Sequence, residues 1–328
     1  MKALVWHGPK QMSVDDLPEL EPQAGEVLVR SEAAGICGSE VEGYMGRMAN
    51  RVPPLVMGHE FAGTVTAIGS GSDRSWLGKR VAVNPIVGCG HCRYCVRGDR
   101  NLCPERILVG VGVPGGFAST AVVPERCLFE MPAGMDARLG ALAEPLANGV
   151  HAIRSGAPAG ATSAVVIGAG TIGLACMQAA LLHGIELVTV LERHPTRREH
   201  ALRLGAHEAF GSGDELRPDV DLVVDAAGAA ETRQLAVELL GPAGTAVFIG
   251  LHDDQSALPW HRVIRGNHTV KGVFGYSDRD FQQALDWLSG GRAGIGDLNG
   301  ILPLEEGPAA FATLAEGPTA DIKVFLGA

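Results

Sequence analysis

The amino-acid sequence predicts an α/β protein in which a doubly wound parallel sheet is joined to a β-rich domain. From about residue 163 onward, apolar strands alternate with helical patterns, which indicates a parallel sheet with right-handed crossovers. The first half instead contains short β-branched runs separated by Gly, Pro and Ser, a pattern typical of strands. The length of 328 residues fits two domains of about 150 residues each.

In the β-rich half, strands are predicted over three runs, Val27–Arg30, Gly63–Ile68 and Arg80–Val83. Two unusual segments interrupt these runs, one around Cys37 and one from Gly88 to Cys103. Both segments contain side chains of the types that bind metals.

In the second half, the alternation predicts both strands and helices. The predicted strands lie over 164–168, 187–192, 220–225, 245–250 and 269–274. The predicted helices between them lie over 171–183, 196–204 and 230–240. The apolar run Ile322–Leu326 near the C-terminus is too short to form a domain, so we expect it to pair with the first half.

Composition excludes several function classes. The formal net charge is −10 and no segment is strongly basic, which argues against binding to a nucleic-acid backbone. Hydrophobic residues make up 46%, which excludes a disordered chain.

No secretory signal is predicted at the N-terminus. Residues 155–185 carry no charged side chain, but Gly168-Ala169-Gly170 interrupts them, so a buried strand and helix are favoured over a membrane span.

Four of the seven cysteines lie close together, at Cys89, Cys92, Cys95 and Cys103. An odd total with this crowding is unlike a disulfide framework and favours a metal site in a reducing, cytoplasmic compartment. Four thiolates can surround a tetrahedral Zn²⁺ and leave no open position, so the predicted site is structural. The alternatives are an iron–sulfur cluster or unmetallated thiols. His91 is interpreted as an exposed spacer.

The motif Gly168-Ala169-Gly170-Thr171-Ile172-Gly173 follows a predicted strand and opens a predicted helix. In that context its glycines allow a pyrophosphate to approach the helix N-terminus. Glu192, at the end of the next strand, would accept hydrogen bonds from the adenosine ribose and favour NAD over NADP. Arg193 and Arg197 follow closely and weaken that preference. The alternative is a tight glycine turn without a ligand.

Three further motifs indicate a functional site only when they are taken together. Cys37 lies in a glycine-rich turn with Ser39, Gly58 precedes His59-Glu60, and Glu144 precedes a proline. Taken singly, such residues are common in cores and on surfaces.

In their order and spacing, these motifs resemble the zinc-dependent medium-chain dehydrogenase/reductase superfamily, on its polyol, threonine and galactitol-phosphate dehydrogenase side. The resemblance runs along the whole chain and includes Ile322-Lys323-Val324. It implies a GroES-like catalytic domain over 1–151, a Rossmann domain over 152–291, and a segment over 292–328 that returns to the catalytic domain. It also implies a dimer or tetramer.

The resemblance further implies that Cys37 and His59 hold a catalytic zinc. Glu60 and Glu144 would share the third position, and the sequence leaves open which of the two binds. Ser39 would take the proton of the alcohol. The implied reaction oxidises a secondary alcohol, such as a polyol, a sugar alcohol or its phosphate, with NAD. A zinc-free NADP-dependent carbonyl or quinone reductase and a non-enzymatic dinucleotide-binding protein are the alternatives.

Three positions depart from the family pattern. Glu40 stands where relatives commonly have Asp behind the zinc-bound His. Glu42 stands where many have a His that relays the proton, so either Glu42 or solvent takes that part. Gly275, between Phe274 and Tyr276, stands where polyol dehydrogenases often have an Arg.

Other pocket residues follow from the resemblance. Gly250, Leu251 and Phe274 are expected to border the nicotinamide, and Ala227 to pass near the adenosine. Substrate contacts are expected from the residues just beyond Ser39, which are Tyr44, Met45 and Arg47, although Arg47 can equally be an ordinary exposed residue.

Overall fold

The computed structural model describes residues 1–216, 218–296, 298–317, 319 and 321–328. The chain forms two compact units. The first unit contains Met1–Glu144, Ser277–Gly291 and the segment that follows Gly296. The second contains Pro145–Tyr276 and Arg292–Gly296.

The N-terminal part of the first unit is built from strands with one helix of two turns. The helix is α1 (Gly38–Tyr44). The strands are β1 (Lys2–Gly8), β2 (Gln11–Asp16), β3 (Glu26–Gly35), β4 (Leu55–Val56), β5 (Glu60–Ile68), β6 (Arg80–Val83), β7 (Ile86–Val87), β8 (Ile107–Leu108), β9 (Thr120–Pro124) and β10 (Leu128–Glu130). The predicted strands over 27–30, 63–68 and 80–83 lie within β3, β5 and β6, so they are confirmed.

Strand β3 organises this unit, because it pairs antiparallel with both β5 and β9. The burial pattern along β3 alternates, as expected for a strand with one face on a core. The core below it contains Val27, Val29, Phe61 and Phe117. A separate sheet has the order β2-β1-β4, and β7 pairs with β8.

Helix α2 (Ala137–Gly156) leads into the second unit. The strands of that unit are β11 (Ser163–Ile167), β12 (Leu187–Leu191), β13 (Glu208–Phe210), β14 (Val220–Asp225), β15 (Leu240–Phe248) and β16 (Thr269–Gly272). Its helices are α3 (Thr171–Leu182), α4 (Pro195–Arg203), α5 (Ala230–Glu238) and α6 (Trp260–Arg265).

The second unit is a parallel sheet in the order β13-β12-β11-β14-β15-β16. The strand order reverses between β11 and β14, which is where open α/β sheets bind nucleotides. The doubly wound fold and all five predicted strands are therefore confirmed, with ends that differ by a few residues.

The chain then returns to the first unit with α7 (Asp278–Ser289), β17 (Ile301–Pro303), α8 (Gly307–Glu316) and β18 (Phe325–Gly327). Strand β18 pairs antiparallel with β3, which confirms the expected return of the C-terminal run. The resemblance implies that residues 277–291 belong to the Rossmann domain. They instead group with the first unit, because Phe281 packs on Phe129 with ring centroids 4.6 Å apart and Asp278 pairs with Arg100.

Among the described residues, no helix is long and apolar enough to cross a bilayer. The uncharged run over 155–185 forms the end of α2, then β11 and α3.

Candidate functional site

The ends of two paired strands bring Cys37, His59 and Glu60 together. Gly35, the last residue of β3, lies opposite Glu60, the first residue of β5. Cys37 follows two residues later, just before α1, and His59 directly precedes β5. One ligand atom from each of the three side chains lies within 4.8 Å of the other two. Thiolate, imidazole and carboxylate are a donor set that suits zinc.

Glu40, in the first turn of α1, fixes the imidazole of His59. Its Oε1 lies 2.8 Å from His59 Nδ1 and accepts the backbone N–H groups of Gly58 and His59 at 2.9 and 3.1 Å. Its Oε2 accepts the N–H of Cys37 at 3.0 Å. Because Nδ1 is engaged in this way, Nε2 is the nitrogen left for a metal. The longer side chain of Glu, in place of the expected Asp, therefore still reaches the imidazole.

Glu40 and His59 shift each other's pKa. Burial alone would raise the pKa of Glu40, but the His59 charge and the hydrogen bonds it accepts bring that pKa below its usual range. Burial alone would lower the pKa of His59, but Glu40 and Cys37 hold it well above its usual range.

Lys323, from the segment before β18, is a buried partner of Glu60. Its Nζ lies 2.9 and 2.6 Å from the two carboxylate oxygens and donates to Ile36 O at 3.1 Å. Burial alone would lower the pKa of Lys323, but the negative charges of Glu60 and Cys37 raise it. In the sequence, Lys323 belongs to the motif Ile322-Lys323-Val324, which does not predict this contact. The sequence feature that could have indicated a buried ion pair is the position of Lys323 inside the apolar run Ile322–Leu326.

Glu144, the other predicted carboxylate ligand, is buried within α2. Its oxygens are not among the described ligand atoms that lie within 4.8 Å of one another around Cys37, His59 and Glu60. In this structure Glu60 is thus the carboxylate beside Cys37 and His59, while Lys323 holds both of its oxygens.

Ser39 Oγ donates to Cys37 Sγ at 3.4 Å, so the hydroxyl lies beside the candidate metal position. It also accepts a hydrogen bond from Arg51 Nη2 at 3.3 Å. No sequence motif points to Arg51. Arg47, the arginine that was expected near the substrate, is exposed, and its Nη1 lies 3.3 Å from Glu42 Oε1.

Tyr44 was expected in the substrate cleft but belongs to the core of the first unit. It is buried, and its ring packs 5.6 Å from that of Phe311. Met45 is half-buried against the same core.

The Sγ atoms of Cys89, Cys92, Cys95 and Cys103 lie within 4.8 Å of one another, which fits four-thiolate coordination. Backbone N–H groups point at these sulfurs, including Cys92 N at 3.4 Å from Cys89 Sγ and Cys95 N at 3.5 Å from Cys92 Sγ. The backbone N–H of Cys95 lowers the pKa of Cys92 to about 7. Such donors favour the thiolate, the form that binds metals. His91 is exposed and contacts the carbonyl of Cys89.

We expect Cys92→Ser to lower the zinc content by one ion per chain and to lower the melting temperature by several degrees, because a structural zinc contributes folding energy. The measurement is metal analysis by mass spectrometry together with a thermal melt. His91→Ala is the matched control in the same loop and should keep both values. Unchanged zinc content in Cys92→Ser would contradict the predicted coordination.

In the second unit, the glycine motif forms the turn between β11 and α3. Gly168 has φ +97°, a region that favours glycine. A Cβ on Gly173 would lie 1.8 Å from the carbonyl oxygen of Gly168, so no other residue fits there. The turn therefore brings backbone close to the N-terminus of α3, where Thr171 and Ile172 begin the helix and anions are favoured.

Glu192, directly after β12, is buried beside this turn. Its Oε2 accepts the N–H of Ala169 at 2.8 Å and its Oε1 accepts the N–H of His194 at 2.9 Å. Arg198 donates to the carbonyls of Glu192 and Arg193 and fixes the loop. The Arg193 side chain is exposed, and Arg197 lies in the first turn of α4.

The remaining predicted cofactor residues follow the carboxyl ends of neighbouring parallel strands. Ala227 follows β14, where Asp225 accepts the N–H groups of Ala227 and Gly228 at 3.0 and 2.9 Å. Gly250 and Leu251 follow β15, and Phe274 follows β16. Leu251 is 77% exposed and Phe274 is 43% exposed. These apolar side chains thus lie at the same sheet edge as the glycine turn.

Comparison with known families gives two matches. The alcohol dehydrogenase GroES-like domain family matches residues 23–133. The zinc-binding dehydrogenase family matches residues 171–290. Together the matches span parts of both compact units.

Two curated relatives are similar along most of the chain. Starvation-sensing protein RspB of Escherichia coli K12 is 32% identical over 304 residues, which cover 89% of this chain and 88% of RspB. The 2-dehydro-3-deoxy-L-galactonate 5-dehydrogenase of Pseudoalteromonas atlantica is 30% identical over 329 residues, which cover 97% of this chain and 96% of that protein.

Three solved structures share the fold. The rspB alcohol dehydrogenase of E. coli CFT073, complexed with NADH, has a TM-score of 0.91 at 29% identity and covers 100% of this chain and 99% of its own. A zinc-binding dehydrogenase of Sinorhizobium meliloti 1021, bound to NADP, also has a TM-score of 0.91 at 29% identity and covers 100% of this chain and 99% of its own. Galactitol-1-phosphate dehydrogenase of E. coli has a TM-score of 0.90 at 28% identity and covers 99% of both chains.

Proposed function

The chain belongs to the zinc-dependent medium-chain dehydrogenase family, and from that premise we propose that it oxidises a secondary alcohol reversibly to a ketone with NAD. The proposed substrates are a polyol, a sugar alcohol or its phosphate. The observation that carries the proposal is the group formed by Cys37, His59 and Glu60, with Ser39 beside it.

In the proposed mechanism, Cys37 and His59 would hold the catalytic zinc, with Glu60 or Glu144 as the third ligand. Bound zinc would supply Lewis acidity, which lowers the pKa of an alcohol beside it. Ser39 Oγ receives the alcohol proton. Glu42 is paired with Arg47 on the surface, so solvent is the proposed final acceptor of that proton. The second proposed zinc is structural and would be bound by Cys89, Cys92, Cys95 and Cys103.

The proposed cofactor site is built on the parallel sheet. Gly168, Gly170 and Gly173 would cradle the pyrophosphate at the N-terminus of α3. Ala227 and Gly250 would lie along the bound dinucleotide. Leu251 and Phe274 would border the nicotinamide, which explains two exposed apolar side chains at this edge. The hydride chemistry belongs to the cofactor, and the protein contributes position and charge.

The function is tested by following nicotinamide reduction in zinc-loaded protein with a panel of alcohols. The panel spans polyols, their phosphates, sugar acids, inositols, diols and simple secondary alcohols, each with NAD and with NADP. We expect turnover of at least one hydroxylated class, and loss of turnover when a chelator removes the zinc. Zinc-independent turnover would favour the reductase alternative, and failure of every alcohol to react would favour the non-enzymatic alternative.

For the cofactor, we expect Glu192→Gln to lower the ratio of kcat/KM for NAD to that for NADP by roughly tenfold or more, because the carboxylate repels a 2′-phosphate. The ratio separates this role from the hydrogen bond to Ala169, whose loss would affect both cofactors equally. Glu199→Gln, an exposed change on α4, is the matched control. An unchanged ratio would contradict the proposed NAD preference and turn attention to Arg193 and Arg197.

We also propose that the protein acts in the cytoplasm as a homodimer or homotetramer. Seven free cysteines in the described chain fit a reducing compartment. Strand β16 lies at the edge of the parallel sheet, where a second copy could extend the sheet.

A further inference from the structure

Arg51 is a buried cation beside the proposed reaction centre. It lies between α1 and β4, and the whole residue is only 5% exposed. Its Nη2 donates to Ser39 Oγ at 3.3 Å and its Nη1 contacts Met48 Sδ at 2.9 Å. Its Nε is buried and has no hydrogen-bond partner among the described residues. The guanidinium thus faces a weak sulfur acceptor and a hydroxyl.

In the described part of the chain no carboxylate oxygen lies within 4.0 Å of Arg51, although its charge acts on Glu40 at longer range and helps to lower the pKa of that carboxyl. Both acidic residues of α1 are engaged elsewhere. Glu40 binds His59 and backbone N–H groups, and Glu42 pairs with Arg47. Buried charges in proteins are normally paired, because an isolated buried ion is costly. A buried guanidinium with no carboxylate in contact is therefore a place where a further anion can bind.

The local sequence makes room for this side chain. A Cβ on Gly43 would lie 2.6 Å from Arg51 Cδ and 3.0 Å from its Nε, so glycine in α1 allows the arginine to lie against the helix. The backbone N–H of Arg51 donates to Met48 O at 3.2 Å, which fixes the turn that carries it. Arg47, four residues earlier, is exposed and already paired, and it is the natural comparison for any test.

We propose that Arg51 is a specificity-determining residue that binds an oxyanion, either carboxylate or phosphate, carried by the alcohol substrate. This inference rests on the proposed function and names the substrate class of the same site. If Ser39 Oγ hydrogen-bonds the reacting hydroxyl at about 2.8 Å, that hydroxyl lies no more than ~6 Å from Arg51 Nη2, given the 3.3 Å between Nη2 and Ser39 Oγ.

That distance suits an anion close to the oxidised carbon. A carboxylate or phosphate on one of the next two carbons can reach the guanidinium while its hydroxyl stays at Ser39. The planar fork of an arginine matches the two oxygens of such groups, which gives orientation as well as attraction. A neutral polyol would leave the guanidinium with no anion in direct contact, so it is disfavoured relative to an anionic substrate.

The test compares three compounds of one carbon skeleton: a hexitol, its terminal phosphate, and the corresponding aldonic acid. The zinc-loaded protein and the variants Arg51→Met, Arg51→Lys and Arg47→Met are assayed for kcat/KM with each compound. We expect the wild type to prefer an anionic compound by roughly a hundredfold. Arg51→Met should lose at least about thirtyfold more activity on that compound than on the hexitol. Arg51→Lys should recover part of the preference, and Arg47→Met should keep it.

Calorimetric binding of the same compounds to the protein with NADH provides a readout that does not need turnover. Anion binding that depends on Arg51, without turnover of any alcohol, would support the inference and refute the proposed function. Turnover with equal losses on neutral and anionic compounds in Arg51→Met, or a wild-type preference for the hexitol, would overturn the inference alone. If Arg51→Met does not fold, Arg51→Lys carries the comparison. The better anionic compound identifies phosphate or carboxylate as the ligand.

Discussion

Replacement of Cys37 by serine is expected to remove the proposed catalytic zinc and to lower kcat/KM by about 10³–10⁴. A serine hydroxyl stays protonated near neutral pH and is a poor zinc ligand, whereas a thiolate binds strongly. Loss of a Lewis acid that contributes several kcal/mol corresponds to this range at about 1.4 kcal/mol per tenfold. The zinc content should fall from two ions to one, since Cys89, Cys92, Cys95 and Cys103 form a separate group.

Cobalt substitution provides a direct check on the Cys37 ligand. The wild type loaded with Co²⁺ should show thiolate-to-metal absorption from both sites, and Cys37→Ser should lose only part of it. Cys176→Ala is the matched control for thiol loss, because Cys176 is a buried cysteine of α3, where burial raises its thiol pKa to about 12. Full zinc content and full turnover in Cys37→Ser would refute the proposed site.

Lys323→Met is expected to lower the free energy of unfolding by about 3–5 kcal/mol, because it leaves the Glu60 carboxylate buried without its counter-ion. The side chains of Lys323 and Glu60 are 2% and 1% exposed, so solvent cannot replace the lost charge. The double variant Lys323→Met with Glu60→Gln should recover much of the loss. Denaturant unfolding of the metal-free proteins measures the difference, since no added cation can then substitute for Lys323.

The control for Lys323→Met is Lys79→Met, which breaks an ion pair of similar length. Lys79 and Glu130 lie 2.7 Å apart, but their side chains are 35% and 55% exposed. Such a surface pair contributes at most about 1 kcal/mol. If both variants lose the same stability, Lys323 is not the counter-ion on which Glu60 depends.

The fold was predictable because its signals are local. Runs such as Val165–Ile167 and Leu222–Val224 are short and apolar, and each became part of a strand of the parallel sheet. The positions of the site motifs were also local, since Cys37 and His59 each stand beside glycine at a strand end. Sequence could not place the boundary near residue 277, because the pairing of Asp278 with Arg100 joins residues 178 positions apart.

The ion pairs around the site were also not predictable, because they depend on contacts between separate segments of the chain. Arg47 and Arg51 look equivalent in the sequence, and only the packing of the loop decides that Arg51 is buried at Ser39 while Arg47 pairs on the surface. The sequence marks Glu40 only as a departure from the Asp that is common in the family. Its four hydrogen-bond contacts to Cys37, Gly58 and His59 depend on how α1 meets β5, which no local pattern encodes.

The contact between Glu60 and Lys323 also bears on how the protein is made. The two residues are 263 positions apart, and the complete parallel-sheet unit is encoded between them. During synthesis the N-terminal strands emerge first and domains generally fold as units. The Glu60 carboxylate therefore cannot pair with the Lys323 ammonium group until the ribosome has translated the whole second unit. A nascent chain stalled before residue 323 would carry the cysteine and histidine but leave Glu60 without the cation that neutralises it.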